Sequence, residues 1–213
     1  MIELHTWSTP NGRKISIMLE ECGLPYKVFP VHIGKNEQFK PEFLAISPNN
    51  RIPAIIDPDG PGGKPYSLFE SGAILIYLAE KTNRFLPADR IRRYDAIQWV
   101  MWQMGGFGPM LGQVHHFLRA AKEEVPYAIK RYGEETRRLY GVLDKRLASV
   151  PWCGGPDYTI ADMAIYPWAA RHEWHKVELS DFPNVKRWYD QVGARPAVQK
   201  GMMIPPPPPA SKS

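Results

Sequence analysis

The sequence predicts a two-domain chain, an α/β domain of about 80 residues followed by an all-helical domain. Three observations predict it. Strand-like alternation and helical apolar spacing take turns as far as Thr82. Both patterns lapse across Asn83-Arg84-Phe85-Leu86-Pro87-Ala88, and beyond that segment only helical spacing is found. The expected division is 1–82 for the α/β domain, 83–88 for a linker, 89–204 for the helical domain and 205–213 for a disordered proline-rich tail.

Ile2 to Trp7 alternates like a strand, and Ser8-Thr9-Pro10-Asn11-Gly12 supplies a turn. Ile15, Met18, Leu19 and Cys22 fall at i, i+3, i+4 and i+7, one face of an amphipathic helix that Gly23 and Pro25 end. Tyr26 to His32 reads as a second strand, and the polar segment 34–47 as a short irregular helix carrying Phe39, Phe43 and Leu44. Ala54 to Asp57 is the third strand. The turn Pro58-Asp59-Gly60-Pro61-Gly62-Gly63 leads to a fourth, Tyr66 to Phe69, and a helix opens at Glu70-Ser71-Gly72. A strand–helix–strand unit followed by a hairpin and a helix is the thioredoxin arrangement.

In the second half, Arg90 to His116 is helical with an interruption around Gly105-Gly106-Phe107-Gly108-Pro109. Pro126 to Ser149 carries a stripe of Ile129, Tyr132, Thr136, Leu139, Leu143 and Leu147. Thr159 and Asp162 have capping-box spacing before an almost wholly apolar helix, 161–174, the expected centre of the domain. Further helices are expected at 182–194 and from Pro196. From Pro205 the chain can only be polyproline II or disordered.

Hydrophobic content of 44% and aromatic content of 12% suffice for packed cores, and no apolar run approaches the ~18 residues of a membrane span. The start of the chain lacks the basic and apolar regions of a signal peptide, so the cytoplasm is the expected compartment. The net charge of +5 favours anionic ligands, yet the basic pairs are interleaved with acids such as Glu134, Glu135 and Asp144, which argues against nucleic acid. Two cysteines, Cys22 and Cys153, form neither a disulfide framework nor a metal motif. His115-His116 is no metal pair, because adjacent residues do not share a helix face. No metal is expected.

The stretch Ser47-Pro48-Asn49-Asn50-Arg51-Ile52-Pro53 turns a polar loop into a strand with a proline at the junction. A cis Ile52–Pro53 bond would kink the chain and turn the Ile52 backbone toward a pocket, where it could capture a peptide by strand addition. On this stretch alone, an ordinary loop-to-strand transition is the better reading.

Three separate segments carry a resemblance. Asn50-Arg51-Ile52-Pro53-Ala54, Glu70-Ser71-Gly72-Ala73-Ile74 and Thr159-Ile160-Ala161-Asp162 resemble the cis-proline segment, the third-helix start and the core-helix capping box of the cytosolic glutathione transferases. The resemblance covers everything but the proline tail. Thr9-Pro10-Asn11-Gly12-Arg13-Lys14 and Gly105-Gly106-Phe107-Gly108-Pro109-Met110 are similar to the bacterial Nu class, homologues with disulfide-bond reductase activity.

This resemblance implies glutathione as co-substrate, with no metal, and assigns roles. Thr9 and Asn11, at the start of the first helix, would polarise the glutathione thiolate, although either can simply cap the helix. Glu70 would pair with the γ-glutamyl ammonium and Ser71 with its carboxylate, against the plainer reading of Ser71 as an N-cap. Arg51 and Gln38 would add polar contacts, and the backbone of Ile52, shaped by Pro53, would pair with the cysteinyl residue. Gln103 and Arg131 would reach glutathione across a dimer interface, or else are surface polar residues on helices. Phe107, Met110 and Trp168 are candidates for an electrophile pocket. The implied enzyme is a homodimer that binds glutathione or glutathione disulfide and reduces small disulfides with the glutathione thiolate, since no cysteine occupies the Thr9–Gly12 turn. The alternatives are conjugation of electrophiles, reduction of organic hydroperoxides, or a non-catalytic glutathione-binding regulator.

Overall fold

The structure, a computed structural model, describes residues 1–206. The chain forms two compact units, one of Met1–Arg84 together with the segment from Arg195, the other of Phe85–Ala194.

In the first unit β1 (Ile2–Thr6), α1 (Pro10–Cys22), β2 (Tyr26–Pro30), the short α2 (Pro41–Leu44), β3 (Ala54–Asp57), β4 (Tyr66–Phe69) and α3 (Ser71–Thr82) follow in order. The sheet order is β2-β1-β3-β4, with β1 parallel to β2 and antiparallel to β3, and β3 antiparallel to β4. This is the expected thioredoxin-like α/β topology. Leu4, Ala54 and Ile55 in the inner strands are fully buried, as are Ile15, Met18 and Leu19 of α1 and Ile74, Leu75 and Leu78 of α3. α1 ends as its sequence dictates. Gly23 takes the left-handed conformation (φ 66°), its N–H bonds Glu20 O, and the N–H of Leu24 bonds Leu19 O. The segment 34–47 is less regular than one helix: two single 3₁₀ turns precede α2.

The chain end departs from expectation. The last helix, α9 (Pro196–Gly201), packs on α1 of the first unit, whereas the sequence put it in the helical domain. Ser16 Oγ donates to Gly201 O at 2.7 Å, and the Arg195 guanidinium forks onto Glu21 at 2.6 and 2.9 Å. Glycine at 201 is required by the close approach, since a Cβ there would lie 2.6 Å from Ile17 Cα. Pro205, expected in a solvated tail, is buried. The remainder of that expected tail, 207–213, lies outside the described residues.

In the second unit α4 (Arg90–Trp102), α5 (Gly108–Arg119), α6 (Pro126–Ser149), α7 (Ile160–Ala169) and α8 (Pro183–Gly193) make an all-helical bundle. The interruption foreseen around Gly105 is a π turn over Gln103–Phe107. The unit begins earlier than the expected boundary, because Phe85 O accepts from Ile160 N at 3.0 Å and Leu86 is buried. α7 is the buried centre, but it ends at Ala169 and gives way to a 3₁₀ turn at His172–His175. The capping box forms: Thr159 Oγ1 accepts from Ala161 N, and Asp162 Oδ2 accepts from Thr159 N at 2.9 Å. Asp162 Oδ1 further accepts from Cys153 N at 2.8 Å and Trp188 Nε1 at 2.7 Å, tying α7 to α8 and to the preceding loop. Phe107, a sequence candidate for an electrophile pocket, is fully buried and stacks on Trp102, so it is core.

His175 is 3% exposed, and neither ring nitrogen has a hydrogen-bond partner among the described residues. Burial, then His115, Arg171 and His172, hold its pKa down to about 3. The unfolded chain, whose histidine titrates near the usual 6.5, therefore binds this proton more readily than the folded one. Stability linked to His175 is present above about pH 6.5 and is lost as pH falls toward 3. Urea unfolding measured from pH 6.5 to 4 should show stability falling as the medium becomes more acid. In His175→Phe that fall should be shallower by up to about 1.4 kcal/mol per pH unit; equal slopes in both proteins would refute the assignment.

Candidate functional site

Strand register gathers the candidate residues of the first unit. His5 pairs with Ala54, and Ala54 with Phe69, so the end of β1, the start of β3 and the end of β4 lie side by side at one end of the sheet. The residues just outside these three positions are the Thr9 turn, Ile52–Pro53 and Glu70–Ser71.

Thr9 is the N-cap of α1, and its hydroxyl oxygen accepts from Gly12 N at 3.3 Å. The helix begins at Pro10, one residue before Asn11, so Asn11 is within the first turn and both side chains are half-buried. Capping uses the lone pairs of Thr9 Oγ1 and leaves its proton available to donate. The turn is tight: a Cβ on Gly12 would collide with Thr6 Oγ1 and lie 2.5 Å from Trp7 O. The positive end of the α1 dipole thus sits beside a hydroxyl and a carboxamide, a setting that stabilises an anion such as a thiolate.

The 47–53 loop is held from inside. Fully buried Ser47 donates from Oγ to Arg51 O at 2.8 Å, and Asn50 takes a left-handed φ of 49°. The Ile52–Pro53 bond is cis, Pro53 is buried, and Ile52 stands outside the ladder that begins at Ala54. Arg51 is exposed. Gln38 is half-buried, with its Oε1 enclosed and reached by no donor among the described residues.

Glu70 and Ser71 differ from a plain N-cap. Glu70 occupies the cap of α3 at φ 69° and ψ 110°, with no side-chain capping bond, and its side chain is exposed. Ser71 is the first helical residue, 4% exposed. Its Oγ accepts from Lys14 Nζ at 3.2 Å. Lys14 was missed by sequence reasoning. It is 1% exposed, and burial holds its pKa down to about 7 while Glu70 raises it. A signal existed: Lys14 precedes Ile17 by three and Met18 by four, which puts it on the apolar face of α1.

The helical-unit candidates are disposed differently. Gln103 is 1% exposed and its carboxamide abuts Gly108, so it is an interior residue of that unit and no surface side chain. Arg131 is exposed on α6. His115 stacks on Trp174 and meets the edge of His175. Among the described residues no group of three or more His, Cys, Asp and Glu could hold a metal ion, and no helix is long and apolar enough to cross a membrane.

Residues 9–81 match the family description "Glutathione S-transferase, N-terminal domain", and residues 109–196 match "Glutathione S-transferase, C-terminal domain". The chain belongs to the glutathione S-transferase family. It is 52% identical over 204 residues to the disulfide-bond oxidoreductase YfcG of Escherichia coli, covering 95% of each chain. To the disulfide-bond oxidoreductase YghU of the same organism it is 39% identical, covering 95% of this chain and 74% of the relative. Among solved structures, a glutathione transferase from Burkholderia graminis with two glutathione molecules per subunit is 50% identical at a TM-score of 0.91. That match covers 96% of this chain and 88% of the other. One from Pseudomonas putida with one glutathione disulfide per subunit is 47% identical at a TM-score of 0.92, covering 96% and 91%.

The backbone at Glu70 yields a stability test. A left-handed φ on a residue with a Cβ costs about 1–3 kcal/mol, a cost glycine avoids. Glu70→Gly should raise the free energy of urea unfolding by about 1 kcal/mol, whereas Glu70→Ala, which keeps the Cβ, should not. Equal stability of the two variants would show that the backbone here is unstrained.

Proposed function

We propose that this glutathione S-transferase reduces small disulfides with the thiolate of glutathione and not with a cysteine of its own. The observation that carries the reading is the chemistry at the start of α1. Thr9 caps the helix where a cysteine-based oxidoreductase would present its thiol, and the chain has only Cys22 and Cys153. Cys153 is fully buried, and burial, then Asp162, pushes its thiol well above the usual range. Cys22 is half-buried, and burial likewise pushes it up against the opposing contribution of Thr82. Neither is disposed to be a thiolate near neutral pH.

In this reading the γ-glutamyl ammonium pairs with Glu70 and its carboxylate with Ser71 and the N-terminus of α3. The cysteinyl backbone pairs with Ile52 beside Pro53, with Arg51 and Gln38 as further polar contacts. Thr9 and Asn11 donate toward the sulfur. One glutathione thiolate attacks a sulfur of the disulfide in line, forming a mixed disulfide and releasing the first thiolate. A second glutathione thiolate attacks the glutathione sulfur of that mixed disulfide, giving glutathione disulfide and the second thiolate. Protons released from two glutathione thiols are matched by those taken up by the two departing thiolates. The relatives named as disulfide-bond oxidoreductases, and the neighbours holding two glutathione molecules or one glutathione disulfide, support this stoichiometry. A homodimer fits the exposed Ile91, Tyr94 and Met101, which share one face of α4. The cytoplasm, with its glutathione pool, is the matching compartment.

The purified protein should turn over a hydroxyalkyl disulfide with glutathione well above its rates with a chloronitrobenzene or cumene hydroperoxide. Thr9→Ala and Asn11→Ala should each lower disulfide turnover about tenfold or more, as loss of a donor to a developing or stored anion does; Thr9→Ala should also cost about 0.5–2 kcal/mol of folding stability, because it removes the N-cap of α1. Full activity in both variants would end the thiolate assignment. A Cys22→Ala/Cys153→Ala protein should keep its turnover, and its inactivation would point instead to a protein thiol. Glutathione binding without turnover of any of the three substrates would favour a regulatory role.

A further inference from the structure

Arg13 lies in the first turn of α1, and its half-buried guanidinium folds back toward the loop that starts the helix. Nη2 donates to Ser8 Oγ at 3.0 Å, which places the charge beside the residue just before Thr9. Three features make this placement unfavourable in the protein alone. The first turn of α1 carries no acidic residue, so the guanidinium stands at the positive end of the helix dipole. Its Nε is enclosed and reaches no acceptor among the described residues. Burial, with no carboxylate to oppose it, holds the guanidinium pKa below its usual range. A cation kept in such a place is short of an anion. We infer that Arg13 completes the thiolate site: its charge stabilises the ionised sulfur of glutathione at the start of α1, and the sulfur in turn gives the guanidinium a counter-ion. The inference rests on the reading of the Thr9 turn as the thiolate site.

The acids around α1 are matched elsewhere. Glu20 and Glu21 pair with Lys200 and Arg195 of α9, and on β1 Glu3 pairs with His5. Glu37 accepts from His32 N and pairs with Lys40, while the His32 ring stacks on Trp7, the residue before Ser8. On α3 Lys81 pairs with Asp57 and Asp59, and the charge of Glu70 bears on Lys14. None of these carboxylates bears on Arg13. Thr9 and Asn11 offer the sulfur neutral dipoles, whereas a guanidinium adds a full charge that acts beyond hydrogen-bond distance. A nearby cation favours the anionic form of a thiol and lowers its pKa, the proton leaving to water. The arginine keeps its own charge wherever a thiol titrates, so it is the thiol that responds to pH. Arg13 thereby sets the thiolate fraction and leaves the grip on the peptide part of the ligand to other residues.

Ultraviolet absorbance of the thiolate, followed against pH with glutathione bound to the protein, reads the thiol pKa directly. In the wild-type protein it should lie below the value of a free thiol, about 8.5. Arg13→Met should raise it by about one unit. Disulfide turnover on the acid limb of the pH profile should then fall about tenfold, and recover once the pH passes the raised value. Arg13→Lys, which keeps the charge, should hold the pKa closer to the wild-type value than Arg13→Met does. Ser8→Ala, which frees the guanidinium from its tether, should raise it by a smaller amount. Affinity for S-methylglutathione, which has no thiol proton, should stay within about twofold of the wild type in each variant. A tenfold loss of that affinity in Arg13→Met would move the arginine to the peptide part of the ligand and overturn the inference. So would an unchanged thiol pKa in Arg13→Met or, should that protein not fold, in Ser8→Ala. A wild-type protein whose bound thiol keeps the pKa of the free one would instead remove the Thr9 turn as the thiolate site, a result that no variant is needed to recognise.

Discussion

His5, Ala54 and Phe69 stand side by side across three strands, and the chemistry of the first unit depends on that alignment. Because β3 runs against both β1 and β4, the chain leaves β1, enters β3 and leaves β4 at one end of the sheet. A shift of one residue in either ladder would turn the buried faces of Leu4 and Ile55 outward, so the hydrophobic core locks the register. Three segments far apart in sequence are thereby brought to one end of the sheet. The Lys14–Ser71 hydrogen bond adds a cross-tie between the helices that start there.

Polar groups buried in the two units meet the cost of burial in different ways. Asp162 is fully enclosed and accepts from Thr159 N, Cys153 N and Trp188 Nε1, so each desolvated donor around it has a partner. Burial still pushes its carboxyl up, against those hydrogen bonds, which is the signature of a structural group held by packing. Lys14 is also enclosed, but its hydroxyl partner lies at a helix start where an anion is stabilised, and Glu70 stands beside it with its carboxylate exposed.

The cysteines explain why the thioredoxin-like topology here needs no thiol of its own. A reactive protein thiolate requires an electropositive, accessible setting. The accessible helix start carries Thr9 and Asn11, while Cys22 and Cys153 are packed into the two units. A thiolate brought by a ligand can use that helix start, and the hydroxyl and amide there suit it because they donate without becoming nucleophiles themselves.

Much was legible in residue order alone. Period-2 and period-3.6 patterns located the strands and helices, Gly23 marked the end of α1, Thr159 and Asp162 announced α7, and the proline at 53 singled out the loop before β3. These are local features, each decided by a few neighbouring residues. Tertiary structure alone decided what depends on partners distant in the chain. α9 joins the first unit because Gly201 lets its backbone reach Ile17 and Arg195 meets Glu21, contacts that no sequence period encodes. Gln103 and Phe107 open and close the π turn and are both buried, a placement that no local period announces. Lys14 reads along the chain as one more basic residue; only the fold, by closing α1 over α3, makes it a buried charge beside Ser71.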